Sequence, residues 1–466
     1  MDRTLIICEK PSVAADVAKA LYGAKATKKG DHYESDDAII AFAVGHIVEQ
    51  ADPDAYDPKY KKWVFEDLPI IPEEFAYEPR KNQKTKLNGL HKLMARTDVT
   101  EIVNACDAGR EGELIFKELI YTAPDKAKGK PIRRAWFSSL TKDAIRDAFD
   151  NLRSDDEVAG LEAAAVARSE ADWLVGMNGT RAATSKGGWI RRNSRNEARS
   201  LGRVQTPTLA LIVKRDLEIN AFVPEDYWLV EAAFETGTGA EYPGRYRDGS
   251  VERITAEEPA VAIADASRGN EGVVAEVTKK PQTKQPELLY DLTSLQRTAN
   301  GRFGYSAKRT LDIAQRLYES HKVLTYPRTN SRYLSGDLVS TLKPTASQVG
   351  AAAPEYAEGA RYVVGLDKLP LGRIVNDDKV GDHHAIIPTN ADQDLSALSK
   401  DERNIYDLVA RRFLAAFHPP ARFENTTVMT RVGENMFRST GRVIIDAGWQ
   451  AVEPVKSDSD PTELPP

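Results

Sequence analysis

Two short apolar runs along the chain each break into a charged loop and then into helical spacing. The first, Arg3–Cys8, ends in Glu9-Lys10-Pro11-Ser12; residues 13–21 then repeat apolar positions at helical intervals, and Ser12 is placed to cap them. The second, residues 102–106, ends in Asp107-Ala108-Gly109-Arg110-Glu111-Gly112-Glu113, and residues 114–120 again follow helical spacing. Strand–loop–helix units of this kind predict a parallel sheet with helices on its faces. Ligands of such sheets gather at the carboxyl ends of the strands, so Glu9, Asp107 and Glu111 are expected to share one edge.

Further on, residues 157–184 and 204–219 read as helices, separated by a Gly/Ser/Arg-rich loop at 185–202. The pattern turns β-like at 227–234, with Gly and Pro turns through Gly249, and again at 423–432 and 436–445. Residues 282–418 between them are helical. A β unit interrupted by helices predicts a nested insertion. The tail is acidic and Pro-rich, as a linker or frayed end would be. No internal repeat is visible, and no apolar stretch approaches the roughly 18 residues of a membrane span. The apolar run near the N-terminus is too short for a signal peptide. The reading is a multidomain α/β protein.

Composition changes this picture in two places. The two cysteines, Cys8 and Cys106, lie far apart, which excludes a disulfide framework and a Cys-based zinc module and suits a reducing cytoplasm. The formal net charge is −6, which taken whole argues against a polyanion partner. Counted by segment it does not. Residues 181–215 hold nine basic residues against Glu197, and residues 279–333 hold eleven against four acidic ones. Such runs form either solvated helix faces or the walls of a groove for a phosphate backbone.

The candidate chemistry follows. Glu9, Asp107 and Glu111 could hold Mg²⁺ through oxygens, or perturb one another until one serves as a general acid; they could equally be acids at helix N-termini. Gly109 and Gly112 permit a tight turn or a close approach to phosphate. Lys10 could pin a phosphate or be merely exposed. In Leu324-Thr325-Tyr326-Pro327-Arg328-Thr329-Asn330-Ser331-Arg332-Tyr333, Tyr326 is either packing or a nucleophile toward phosphorus, with Arg328 to hold the charged oxygens. The segment Gly381-Asp382-His383-His384-Ala385-Ile386-Ile387-Pro388-Thr389 carries adjacent histidines with no third ligand at metal spacing, so a phosphate contact or a structural role competes with a metal site. Arg203 and Gln205, in Ser200-Leu201-Gly202-Arg203-Val204-Gln205-Thr206-Pro207, open a helix and could meet phosphate or base.

These motifs, in this order, resemble those of the type IA DNA topoisomerases, and within them the bacterial topoisomerase III branch. The resemblance runs from Leu5 to about Trp449. It implies a Toprim parallel-sheet domain at 1–152, the first part of a helical DNA-binding arch at 153–218, a β hinge domain at 219–281 and 422–450, a helical tyrosine domain at 282–421, and a tail at 451–466. It implies that Tyr326 attacks one DNA strand to form a 5′-phosphotyrosyl link, which conserves the bond energy, so that no ATP is needed. The sequence accordingly has no GxxxxGK[ST] loop. Glu9 would protonate the leaving 3′ oxygen, and Lys10, Arg328 and His383 would contact the scissile phosphate. Glu9, Asp107 and Glu111 would bind Mg²⁺, and Arg168, Arg203 and Gln205 would contact the strand. The implied partners are single-stranded and negatively supercoiled DNA, without a membrane, in the bacterial cytoplasm at the nucleoid. The implied outcome is relaxation or decatenation.

The chain departs from the family pattern at three points. Gly109 stands where many members carry an acid, and Asn330 where the tyrosine motif usually carries Asp. The sequence ends at Pro466, where the family chain returns to finish its arch, so the remainder of the arch is expected to be missing. Two alternatives stay open on the residues alone: a non-catalytic single-strand-binding remnant, and a tyrosine relaxase or nuclease.

Overall fold

The computed structural model describes residues 2–137, 140, 142–192, 195–381, 383–391, 394–454 and 464–465, without the side chains of Arg192 and Arg195. Asp382 and most of the 451–466 tail lie outside the described residues. The chain divides into two compact units, Met1–Ala221 with Gly381–His383, and Phe222–Val380 with His384–Pro466. The architecture is multidomain α/β, as the sequence pattern predicts.

The first unit opens with β1 (Arg3–Cys8), α1 (Pro11–Leu21), β2 (Thr27–Lys29), β3 (His32–Glu34) and β4 (Ala38–Phe42). It continues through β5 (Val48–Gln50), β6 (Tyr77–Pro79), α2 (Lys84–Met94), β7 (Val99–Ala105), α3 (Arg110–Tyr121), β8 (Ile132–Arg134), α4 (Lys142–Asp150) and β9 (Arg153–Ser154). One sheet runs β2-β3-β4-β1-β7-β8-β9, with β4, β1, β7 and β8 parallel and the outer pairs antiparallel. The alternation of β1 explains its unbroken apolar run. Leu5 and Ile7 join Leu87, Leu90 and Phe116 on one face, while Ile6 and Cys8 join Val13 and Val17 on the other. A strand buried on both faces has no polar side to show.

The start of α1 corrects the cap placed at Ser12. The helix begins at Pro11, and Lys10 is its N-cap without a side-chain cap bond. Proline at the first helical position has its φ preset and lacks an N–H that would go unpaired there, so no Ser cap is required. Helix α5 (Ala159–Gly187) follows, about 44 Å long by helical rise. The presumed loop after it contains a hairpin, β10 (Ile190–Arg192) with β11 (Arg195–Glu197), and leads to α6 (Gln205–Asn220). No residue of α6 is buried; Leu209, Leu211, Ile212 and Leu217 are exposed.

The second unit contains β12 (Glu231–Glu235), β13 (Glu241–Tyr246), α7 (Glu257–Ser267), β14 (Val273–Lys284), α8 (Leu292–Phe303), α9 (Ala307–Glu319), α10 (Leu342–Ala352), α11 (Pro354–Gly365), α12 (Lys400–Ala415), β15 (Ala421–Val432) and β16 (Asn435–Asp446). Its antiparallel sheet is ordered β12-β13-β16-β15-β14. The helices lie in sequence between β14 and β15, which are neighbours in the sheet, and Lys284 pairs with Ala421. The insertion therefore leaves and re-enters the sheet at one point. Strand β14 runs past residue 281; its exposed, largely polar residues hide it from a hydrophobic pattern. The helices share a core that includes Tyr290, Leu317, Leu324, Ile386, Tyr406 and Phe413.

Candidate active site

Strands β1 and β7 are parallel neighbours, so their ends deliver Glu9, Lys10 and Asp107 to one edge. Lys10 Nζ lies 2.7 Å from Asp107 Oδ2 and 3.3 Å from Glu9 Oε1. Burial and the charge of Asp107 push the Glu9 carboxyl above its ordinary range, and Lys10 only partly offsets them. A carboxyl held protonated above its usual pH range can give up a proton in the reaction.

The loop after β4 wraps this group. The Glu9 carbonyl accepts from the N–H of Val44 at 2.8 Å and of Gly45 at 3.2 Å. Val44 has φ 103°, a left-handed value that a β-branched residue rarely adopts, so the loop holds local strain beside the carboxylates. The same loop places His46, whose Nδ1 is 2.9 Å from Glu118 Oε2 and whose Nε2 is 3.8 Å from Glu111 Oε1. Burial opposes a charge on His46, but the two carboxylates overcome it and raise the imidazole pKa to about 9. The imidazolium in turn lowers Glu111 below the ordinary carboxylate range, against the effect of its burial.

Beneath Asp107 lies a buried ionic net. The Arg134 guanidinium donates to the Asp107 carbonyl at 2.7 Å, the Cys106 carbonyl at 2.8 Å and the Ala135 carbonyl at 2.7 Å. Its Nε meets Glu113 Oε1 at 2.5 Å, and Asn104 donates to the other Glu113 oxygen at 3.0 Å. Both charged residues are fully buried, at 0% exposure. Burial pushes the Glu113 carboxyl up, with Arg134 pulling it back. Gly112 makes this packing possible, because a Cβ there would stand 2.0 Å from the Asp107 carbonyl oxygen.

The expected strand contacts also fall in this unit. Asp172 on α5 pairs with Arg203 at 3.0 Å and with Arg168 at 3.9 Å. Gln205 begins α6 and donates from Nε2 to Ser200 Oγ at 2.7 Å. A cavity of about 470 Å³ gathers His46, Arg110, Glu111, Arg168, Asp172 and Trp173. The edge that carries Glu111 thus opens onto the Arg168–Asp172 stretch of α5.

Tyr326 and Arg328 belong to the second unit, in the loop after α9. Two hydrogen bonds hold the strand of this loop: the Thr325 N–H donates to the Ile387 carbonyl at 2.9 Å, and the Ile387 N–H donates to Thr325 Oγ1 at 3.0 Å. Leu324 bridges Pro388, and Ile386 bridges Tyr290. Tyr326 is half-buried and packs edge-on against Tyr318 at 5.3 Å, while Arg328 and Asn330 are exposed. The two histidines differ. His383 is half-buried, whereas His384 is buried, donates from Nδ1 to the Ala385 carbonyl at 2.7 Å, and has its pKa lowered by burial. His384 is a satisfied core residue.

The proposed metal ligands divide. Among the described residues, no three His, Cys, Asp or Glu side chains form a group able to hold an ion. Glu9 and Asp107 share Lys10, and Glu111, 80% exposed, turns to His46. The all-oxygen donor set still fits hydrated Mg²⁺, which commonly takes one or two carboxylates and keeps waters. Here it would compete with the Lys10 ammonium for Asp107. Sequence reasoning missed His46, Glu113, Glu118 and Arg134. Of these only His46 left a signal, the Gly45-His46 pair directly after an apolar strand.

Comparison with known proteins gives the family. Residues 157–466 match the family model described as DNA topoisomerase, and residues 4–140 match the Toprim domain, a kind of domain that binds metal ions. DNA topoisomerase 3 of Bacillus cereus is 43% identical over 462 residues, covering 99% of this chain and 61% of that protein. DNA topoisomerase 3 of Bacillus subtilis is 42% identical over 467 residues, with the same shares covered. The chain thus spans about three fifths of the length of these relatives. Among solved structures, full-length topoisomerase I from Thermotoga maritima matches with a TM-score of 0.69 at 23% identity, over 99% of this chain and 69% of that one. At that identity it speaks for the fold alone.

Proposed function

The chain belongs to the type IA DNA topoisomerases, and we propose that it cleaves one DNA strand, lets another pass and reseals the first. The Tyr326 oxygen attacks the phosphorus as its phenolic proton passes to water, and the bond from phosphorus to the 3′ oxygen breaks. The products are a 5′-phosphotyrosyl link and a free 3′-OH. Glu9 gives its proton to the leaving 3′ oxygen; in rejoining, its carboxylate takes that proton back as the 3′ oxygen attacks, and tyrosine leaves and is reprotonated from water. Lys10, Arg328 and His383 contact the phosphate oxygens. The two steps exchange one phosphodiester for another, so ATP is not consumed.

The observation that carries this reading is the Glu9–Lys10–Asp107 group: an acid with a raised pKa, 3.3 Å from an ammonium that is itself held 2.7 Å from a second carboxylate. That is an acid beside a phosphate-binding cation. Asp107, Glu111 and Glu9 are the residues that would hold Mg²⁺, and the ion would supply positive charge at the phosphate for rejoining. Arg168, Arg203 and Gln205 line the path of the single strand. The domain roles follow: 1–152 Toprim, 153–218 arch, 219–281 with 422–450 hinge, and 282–421 the tyrosine domain. The substrate is single-stranded or negatively supercoiled DNA, relaxed or decatenated at the nucleoid of the bacterial cytoplasm.

The test is denaturing electrophoresis after incubation with a labelled single-stranded oligonucleotide. The wild type is expected to carry a covalent adduct, and Tyr326→Phe to carry none. An adduct on the Phe variant would overturn the role of Tyr326. In parallel, closed circles stepping toward the relaxed state in Mg²⁺ would support resealing.

A further inference from the structure

At the end of α5 remote from Arg168 the chain builds an aromatic stack that none of the groups above uses. The rings of Trp63 and Trp189 lie 5.1 Å apart between centroids, with planes at 26°. The buried Arg181 guanidinium lies over the Trp63 ring, 5.2 Å from its centroid. Arg181 is fixed in turn, since its Nη1 donates to the Tyr60 carbonyl at 2.6 Å in the loop that carries Trp63. On the other side, Gly188 adopts φ 72°, which ends α5 and turns the chain so that Trp189 lies on Trp63. Arg199 Nε locks that turn by donating to the carbonyls of Gly187 at 3.0 Å and Gly188 at 2.8 Å. Trp63 is thus packed by both Arg181 and Trp189, and Trp189 remains 52% exposed.

The support is made for something flat. Large aromatic side chains dominate binding surfaces because they bring wide contact area, yet here a backed indole is left in solvent. Cations accompany it along the chain. Lys186 Nζ lies 4.1 Å from the centroid of the neighbouring Phe65 ring, and Lys62 and Arg191 are exposed close by in sequence. The segment 181–215 that carries Trp189 has nine basic residues against one acidic. An aromatic face among cations is the way single strands are held without regard to sequence: a base stacks, and its phosphates meet the charges. An acidic or apolar protein surface would not need the flat backing.

We infer that Trp189 is a stacking platform for an unpaired base of single-stranded nucleic acid, with the surrounding cations on the adjoining phosphates. By helical rise it stands about 30 Å along α5 from Arg168. It therefore grips the strand well away from the carboxylate edge and sets how a strand is held, not the chemistry. The inference rests on the proposed function for its choice of DNA as the strand.

The test is fluorescence anisotropy of labelled oligo(dT), oligo(rU) and a blunt duplex with the full chain, using Trp189→Ala, Trp189→Leu and Trp189→Tyr. Trp189 is a surface residue, and thermal melting checks that each variant folds. Ala and Leu are expected to weaken single-strand binding about tenfold, and Tyr to stay within about twofold of wild type. Equal losses on dT and rU fit stacking, which ignores the sugar. Unchanged affinity in Ala, full affinity in Leu, or an equal loss on duplex would each overturn the platform. So would a change in sedimentation state with no change in affinity, which would assign the face to a second copy of the chain. The adduct assay separates the two readings. Adduct formation by wild type with Trp189 variants binding normally removes the platform alone. Trp189-dependent binding with no Tyr326 adduct removes the proposed function alone.

Discussion

Beneath Asp107 lies a buried guanidinium paired with a buried carboxylate; beneath Tyr326 lies a pair of main-chain bridges on an apolar core. Both arrangements hold, in a short loop, a side chain that the proposed function uses. The first concentrates the work in one residue: Arg134 reaches the Asp107, Cys106 and Ala135 carbonyls and Glu113 together. The second spreads it over the contacts between residues 323–325 and 387–389. Buried ion pairs are rigid when whole and costly when halved, whereas distributed hydrogen bonds fail by small steps. A residue that must stay fixed against a neighbouring carboxylate suits the first support. The proposed nucleophile suits the second, which can yield locally.

The contrast can be broken most forcefully at Arg134. Arg134→Ala leaves Glu113 charged and unpaired, and is expected to cost about 3–5 kcal/mol. For a unit of this size that is roughly 6–20 °C in the first unit's melting transition by calorimetry. A variant melting like the wild type would show that the net is not the support. Thr325→Val keeps the shape but removes the oxygen that accepts from Ile387 N–H, for about 1–2 kcal/mol. Its effect should be local, with faster amide exchange around residues 323–326 and slower adduct formation; exchange equal to wild type would mean that the bridges do not hold the loop.

The smallest effect concerns pH. Arg316, hydrogen-bonded at 2.8 Å, and the Ser399 cap pull the Glu402 carboxyl down to about 2. A carboxyl lowered on folding adds stability above its unfolded pKa, near 4.3, and that stability is lost as pH falls toward about 2. The melting temperature of the second unit should therefore fall less steeply below about pH 4.3 in Glu402→Gln than in wild type. Parallel slopes would remove Glu402 from the account.

How far the sequence could be read follows from how local each feature is. β1 shows itself because a strand covered on both faces is apolar throughout, and α9 (Ala307–Glu319) falls in the stretch 282–418 predicted helical because its apolar spacing is regular. β14 hides because its support is a ladder to β15, more than a hundred residues on, while its own side chains are mostly polar and exposed. Glu9, Lys10 and Asp107 could be nominated from two loop motifs, but the motifs did not reveal that Lys10 bridges the two carboxylates across 97 positions of sequence. Glu111, grouped with them by motif, turns instead to His46.

The sequence alone determined the residue chemistry and the order of the motifs: which strands run apolar, where the carboxylates, the tyrosine and the basic segments fall, and hence the family. Those properties are carried by neighbours along the chain. Only the tertiary structure decided which groups face one another. It made His46 a charged link between Glu111 and Glu118, 72 positions away from the latter, set Arg134 under Asp107, and laid Trp189 on Trp63. The physical reason is that burial and Coulomb interaction depend on distance in space. The Glu9 carboxyl is raised above its ordinary range by what folding brings beside it, and no local pattern records that.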